Sequence, residues 1–375
     1  MAAKIAQSRA HGNAKEWRGA TSRVADPAQT LAMGTSTNHN MDRRVQLERW
    51  LQGFYPAQSF ILSPASADAS FRRYFRLDFV EGFEGPRSLI AMDAPPEQEN
   101  SAPFIRVAGL LNAAGLNAPL VLQEDLQQGF LLLSDLGKQT YLHVINEQNA
   151  DELFGAAIDA LIVWQRSSKP KVLPPYDAAL LRRELDLFPD WYVAKHLKLE
   201  LSASQKNVLE RSFALIMASN LAQPKVYVHR DFMPRNLMIS TPNPGILDFQ
   251  DAVYGPISYD LLSLFKDAFI SWDEAQVLNW VVRYWEKARA AGLPVNEDFA
   301  EFYRDFEWMG LQRHLKVAGI FARLCYRDGK RNYLEDVPRF LNYIRKTCER
   351  YDAMKPLLHL LDEFENRNPQ TGYTF

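Results

Sequence analysis

Three polar residues in the middle of this 375-residue chain have the types and spacing for chemistry on a phosphate: Asp231, Asn236 five positions on, and Asp248 twelve positions further. A carboxylate on a loop can accept a hydrogen bond from a hydroxyl and aim its oxygen at phosphorus. An amide oxygen and a second carboxylate are the hard ligands that Mg²⁺ takes. Phosphoryl transfer asks for little more, because its transition state is loose and its rate comes from positioning and charge neutralisation. Asp231, Asn236 and Asp248 therefore read as the catalytic set, with Asp231 as the base and Asn236 and Asp248 as the metal ligands. His229 reads as a packing and hydrogen-bonding residue rather than a proton carrier. Asp251 could be a further metal ligand, a substrate contact or a solvated loop charge. Asp260 could hold the catalytic loop or cap a helix. Arg230 and Arg235 could neutralise phosphate or pair with nearby acids.

The elements that must position these residues are legible in the hydrophobic pattern. The run Val226–Tyr227–Val228 has strand character and ends at His229; a second apolar run follows Asn236, and Ile246–Leu247 leads into Asp248. Gly255–Pro256 predicts a turn, and Ser258 the cap of a helix. Upstream, residues 41–54 predict an amphipathic helix. Strands are expected at 60–62, 74–80, 88–93, 120–122 and 129–133, with one helix, 104–114, ending at Gly115. Between the first two strands, hydroxyl-bearing and small residues lead to Ser70, Arg72 and Arg73. That composition suits a turn closing over phosphates, or an ordinary hairpin with a basic edge. Asp135 and Leu136 interrupt the last apolar run, where the chain passes from strands to a mostly helical remainder.

Composition excludes several classes. The net charge of -2 argues against bulk electrostatic binding to nucleic acid or to a membrane, and no apolar run is long enough to span a bilayer. Cys325 and Cys348 have neither metal-ligand spacing nor the look of a disulfide framework, which fits a reducing cytoplasm. Residues 1–40 carry few large apolar side chains and no secretory apolar segment, so a disordered extension is expected. Nothing in the sequence implies a protein partner.

With these residues in place, the chain resembles the aminoglycoside phosphotransferase and choline kinase superfamily. His229-Arg230-Asp231-Phe232-Met233-Pro234-Arg235-Asn236 looks like its H-x-D-x-x-x-x-N loop. Ile246-Leu247-Asp248 with Gly255-Pro256 and Asp260 looks like its metal-binding block. Further segments, among them Asp68 to Arg76, Met92 to Glu97, Gly129 to Gly137 and Gly310 to Lys316, are similar to the bacterial kinases that phosphorylate C1 of N-acetylmuramate and N-acetylglucosamine in cell-wall recycling. The resemblance runs from about Met41 to the C-terminus. It implies an α+β, protein-kinase-like two-lobed fold, with a β-rich nucleotide-binding lobe at 41–136 containing one inserted helix, and a mainly helical lobe at 137–375. It also implies ATP and Mg²⁺, a small-molecule amino-sugar acceptor, and nucleotide contacts at Ser70, Arg72, Arg73, Asp135 and Leu136. One departure stands out. The superfamily places a Lys or Arg on the third strand to hold phosphates, and this chain has Ala91-Met92-Asp93 there; Arg72, Arg73 and Arg76 are the candidate replacements.

A second site is expected from helical spacing. Over 305–327, Arg313, Lys316, Arg323 and Arg327 fall within an arc of about 80° at 3.6 residues per turn. Such a stripe could meet an anionic group of the acceptor, for which Arg313 and Lys316 are the candidates, or could be a solvated face paired with carboxylates. Cationic acceptors, as in aminoglycoside or choline kinases, would want acidic or aromatic pockets instead. A scaffold that has lost nucleotide binding is the non-enzymatic alternative; the missing third-strand cation favours it and the complete Asp231, Asn236 and Asp248 set opposes it.

Overall fold

The computed structural model describes residues 43–67 and 71–365; the expected extension at 1–40, and Ser70, lie outside the described residues. The described residues up to Ala57 form one unit. Within it residues 43–52 are helical (α1), supported by an Arg44–Glu48 ion pair one turn apart (3.1 Å) and an edge-to-face contact of Trp50 with Phe54.

The second unit begins at Gln58. Strands β1 (Phe60–Ala67), β2 (Arg73–Phe79), β3 (Ser88–Asp93), β4 (Val121–Asp125) and β5 (Phe130–Ser134) form an antiparallel sheet in the order β1-β2-β3-β5-β4. The turn into β5 depends on Gly129, which has φ +75°. A Cβ there would meet the carbonyl oxygen of Ala94 at 1.9 Å, so no other residue fits. Helix α2 (Ala102–Ala113) is inserted between β3 and β4. It buries Phe104, Val107, Ala108 and Leu111, spaced by three and four, and stops where Gly115 turns left-handed.

Beyond the sheet the chain is mainly helical: α3 (Tyr141–Val144), α4 (Ala150–Arg166), α5 (Ala178–Leu185), a π-helical stretch Phe188–Leu197, and α6 (Ala203–Ala222). Ser202 caps α6 as expected, its hydroxyl accepting from the backbone of Gln205 while the Gln205 side chain accepts from the backbone of Ser202. Two small antiparallel pairs follow, β6 (Lys225–Val228) with β9 (Val253–Pro256), and β7 (Leu237–Met238) with β8 (Gly245–Ile246). Helices α7 (Tyr259–Phe265), α8 (Glu274–Ala290), α9 (Phe299–Asp328), α10 (Val337–Arg350) and α11 (Lys355–Phe364) complete the chain.

One apolar core joins sheet residues Met92 and Leu131 to Phe104 of α2, Trp164 of α4, the strands around the 229–236 loop, and Trp280 of α8. A second gathers α6, α10 and α11 around the latter half of α9. Helix α9 is thus the spine of the helical region. Gly319 lets it press against the backbone of Leu187, where a Cβ would come within 2.4 Å. Among the described residues no helix is long and apolar enough to cross a membrane.

Candidate active site

Strand β6 buries Val226, Tyr227 and Val228 and pairs with β9, so the chain emerging at His229 starts from a fixed edge. The β7–β8 hairpin then returns Leu247 to donate its N–H to the carbonyl of Asn236 (2.9 Å). This brings the predicted triplet together. The Asn236 amide donates to the backbone carbonyl of Asp231 (2.9 Å) and to Oδ2 of Asp248 (3.2 Å), and Gln250 donates to the other Asp248 oxygen (2.7 Å). Arg230 and Asp248 have φ of +77° and +63°, values that non-glycine residues rarely adopt and that surrounding bonds must hold. For Arg230 the holding group is Asp260. Its two carboxylate oxygens accept the backbone N–H groups of His229 (2.6 Å) and Arg230 (2.9 Å). Asp260 also lies in the first turn of α7, so its loop-holding and helix-terminus roles coincide. The α7 cap expected at Ser258 makes no side-chain cap bond, because its hydroxyl donates to Gln223 instead (2.7 Å).

The electrostatics separate the roles. His229 is 1% exposed, and burial drives its imidazole down to about 4, so it is neutral near pH 7 and packs edge-on against Phe232. The Asp231 carboxylate is 37% exposed, with the Arg313 guanidinium 3.6 Å away. Lost hydration would raise its pKa, but Arg313, Lys316 and Arg230 outweigh that and hold it below the usual carboxylate range. It is therefore ionised, accessible and able to accept a hydroxyl proton.

Arg313 and Lys316 sit behind this loop, both nearly buried. Arg313 donates to the Arg230 carbonyl (2.8 Å) and the Tyr259 hydroxyl (3.0 Å). Lys316 donates to the same hydroxyl (3.0 Å) and pairs with Glu184 (2.9 Å). Asp251 is exposed, and its backbone carbonyl accepts from Arg230 (3.4 Å). Farther along the stripe, Arg327 is exposed and paired with Asp328 (2.7 Å).

Glu184 of α5 was not singled out in the sequence. Its carboxylate accepts from Arg230, Tyr176, Lys316 and Gln312 (2.8 Å from the last), and it is 4% exposed. Burial opposes its charge, yet Lys316 and Arg230 bring its pKa down to about 2. A signal was present: Leu181, Glu184, Leu185 and Phe188 share one face at helical spacing, which places a carboxylate among core positions.

A cavity of ≈ 360 Å³ opens between the sheet and this loop. Its lining includes Arg76, Ile90, Leu133, Asp135 and Leu136 at the end of the sheet, and Arg235, Asn236 and Asp248 on the opposite side. Arg76 forms a two-pronged ion pair with Asp135 (2.6 and 2.9 Å) and donates to the carbonyl of Gly137 (2.6 Å); Asp135 also accepts from Ser88 and from the Gly137 N–H. Asp135 and Leu136 thus stand at the cavity. Arg72 and Arg73 are not among its lining residues: Arg72 pairs with Glu99 (2.9 Å), and Arg73 with the buried Asp93 (3.0 Å).

Residues 61–294 match the APH family, described as a phosphotransferase enzyme family. The chain belongs to this family. A member from Neisseria meningitidis serogroup B, named N-acetylmuramate/N-acetylglucosamine kinase, is 51% identical over 340 residues, which covers 89% of this chain and 100% of that protein. A protein of the same name from Pseudomonas aeruginosa is 56% identical over 300 residues, covering 80% and 87%. Among solved structures, a choline/ethanolamine kinase family protein from Mesorhizobium loti aligns with TM-score 0.57 at 14% identity, over 86% of this chain and 99% of that one. The ADP-bound aminoglycoside phosphotransferase APH(2'')-Ib aligns with TM-score 0.54 at 13% identity, over 80% and 97%. This chain's fold, a five-stranded antiparallel sheet followed by a mainly helical region, is the α+β protein-kinase-like fold expected from the sequence.

Proposed function

We propose that this chain transfers the γ-phosphate of ATP to the anomeric hydroxyl of an N-acetylated amino sugar, N-acetylmuramate or N-acetylglucosamine. The observation that carries the reading is the accessible, ionised Asp231, bonded through its backbone to Asn236 of the Asn236–Asp248 pair that lines the cavity, in a chain about half identical to kinases named for those sugars.

Asp231 accepts the hydrogen bond of the attacking hydroxyl and takes its proton as the new O–P bond forms. The bond from the γ-phosphorus to the β–γ bridging oxygen breaks, and ADP leaves. Asn236 and Asp248 would hold Mg²⁺ through their side-chain oxygens. Among the described residues no group of three or more His, Cys, Asp or Glu gathers to bind a metal alone. That suits an ion held by few protein oxygens and completed by phosphates and water. Bound there, the ion supplies charge neutralisation for the phosphates. Asp135 and Leu136 would border the nucleobase at the passage from the sheet to the helical region. On the acceptor side, Asp251 would meet sugar hydroxyls, and Arg313, beside Asp231, would meet an acidic substituent such as a lactyl carboxylate, with Lys316 supporting it from behind. A reaction that consumes ATP fits a cytoplasmic setting.

The test is a transfer assay with Mg-ATP over amino sugars, aminoglycosides and choline, with NMR locating the product phosphate. A C1 phosphate on the N-acetylated sugars is the expected product. Transfer to none of the sugars, or to C6, would contradict the proposal.

A further inference from the structure

Phosphoryl transfer needs cations on the phosphates, and strand β3, Ser88–Asp93, contains no basic residue. Its Met92 is fully buried. Among the described residues three arginines or lysines line the cavity: Arg76, Lys138 and Arg235. Arg76 is committed, since its Nε and Nη2 donate to Asp135 and to the Gly137 carbonyl. Lys138 follows Gly137, at the passage out of the sheet.

Arg235 differs from both. It immediately precedes Asn236 on the turn Pro234–Asn236, next to the residues that face the metal position. It is exposed, and among the described residues it makes no ion pair with a carboxylate. Instead its guanidinium lies over the Phe269 ring, 4.8 Å from the centroid. Stacking on a ring orients a guanidinium through its face and leaves the N–H donors around its edge available. Asp267, adjacent in the fold, does not claim them: it is buried, accepts the N–H of Ala268, and shares its field among Arg313, Arg235 and Arg339. The sequence left Arg235 open between a phosphate contact and a surface ion pair, and the ion pair is not made.

We infer that Arg235 is a catalytic residue that grips the γ-phosphoryl group and neutralises its charge during transfer, supplying from the catalytic loop the cation that the third strand lacks. Phe269 aims it. A fork of N–H donors matches two phosphate oxygens at once, which a lysine cannot do. The inference rests on the phosphotransferase reading above but not on the identity of the acceptor.

The experiment compares binding of Mg-ADP and of a Mg-bound, non-hydrolysable β,γ-imido ATP analogue by calorimetry, in wild type, Arg235→Ala, Arg235→Lys and Lys138→Ala, alongside kcat. Arg235→Ala is expected to weaken the triphosphate by at least about tenfold with ADP within about twofold, and to lower kcat by about 10²–10³-fold. Arg235→Lys restores part of both, and Lys138→Ala changes the two nucleotides by equal factors. Equal weakening of ADP and triphosphate in Arg235→Ala, or no change in either, would overturn the inference. Wild-type protein that bound neither nucleotide would overturn the phosphotransferase reading as well, so the two failures are distinguishable.

Discussion

Replacing Glu184 by Gln keeps the size of the side chain and removes one charge from the centre of the network behind the catalytic loop. In the native protein that carboxylate holds Arg230 and Lys316, and through Lys316 and Tyr259 it connects to Arg313, which faces Asp231. Its carboxyl falls from the ordinary 4.5 to about 2, despite burial, because of those two cations. At about 1.4 kcal/mol per pH unit that drop corresponds to about 3 kcal/mol of stability. The folded-state value lies below the unfolded one, so the contribution is complete above about pH 5 and lost as pH falls toward 2. At pH 7, Glu184→Gln should therefore lower stability by about 3 kcal/mol, with the buried Lys316 and the partly buried Arg230 each losing a counter-charge. For a chain of 375 residues the melting temperature should drop by roughly 4 °C. Because Arg230 carries the strained φ next to Asp231, kcat should fall about tenfold or more while KM for ATP stays near wild type. Adding Lys316→Met removes one of the stranded cations and should return part of the lost stability, a coupling that a double-mutant cycle reads directly. Denaturant unfolding at pH 7 and steady-state kinetics are the assays. A Glu184→Gln protein with wild-type stability and kcat would refute the reasoning.

Two further outcomes follow from the same geometry. Burial lowers His229 from 6.5 to about 4, so the unfolded chain takes up a proton that the folded ring refuses. Stability should decline as pH falls from about 6.5 to 4, by up to about 3 kcal/mol from this residue, and His229→Gln should flatten that decline in urea titrations between pH 7 and 5. Removing the cross-brace with Arg76→Ala should weaken ADP and ATP by similar factors, because Arg76 is bonded to the Asp135–Gly137 passage. Calorimetry showing a loss confined to the triphosphate would instead place Arg76 on the phosphates.

Much of the candidate site was legible in the sequence because its parts are local. Asp231, Asn236 and Asp248 lie within eighteen residues, between short apolar strands whose pairing follows from pattern alone. The inserted helix ending at Gly115 was legible for the same reason. What the sequence left open depends on direction and on distant partners. Period-two alternation puts Tyr74 and Arg76 on the cavity side of β2, whereas Arg73 meets Asp93; which face was the cavity face could be known only from the folded sheet. Helical spacing aligned Arg313 and Lys316, but their burial against Tyr259 and Glu184 is set by α5 and α7, more than fifty residues away. The π-helical stretch Phe188–Leu197 has no period that the usual templates detect, yet α9 packs on it through Gly319 and the residue just before it, Leu187.

The central claim is that Asp231 delivers an amino-sugar hydroxyl to the γ-phosphate. Single-turnover transfer from Mg-ATP to N-acetylmuramate, compared between wild type and Asp231→Asn with Mg-ATP affinity measured on the same samples, tests it most directly. The expected result is a transfer rate lower by about 10²–10⁴-fold with nucleotide affinity retained. Transfer at the wild-type rate by the Asp231→Asn protein would contradict it.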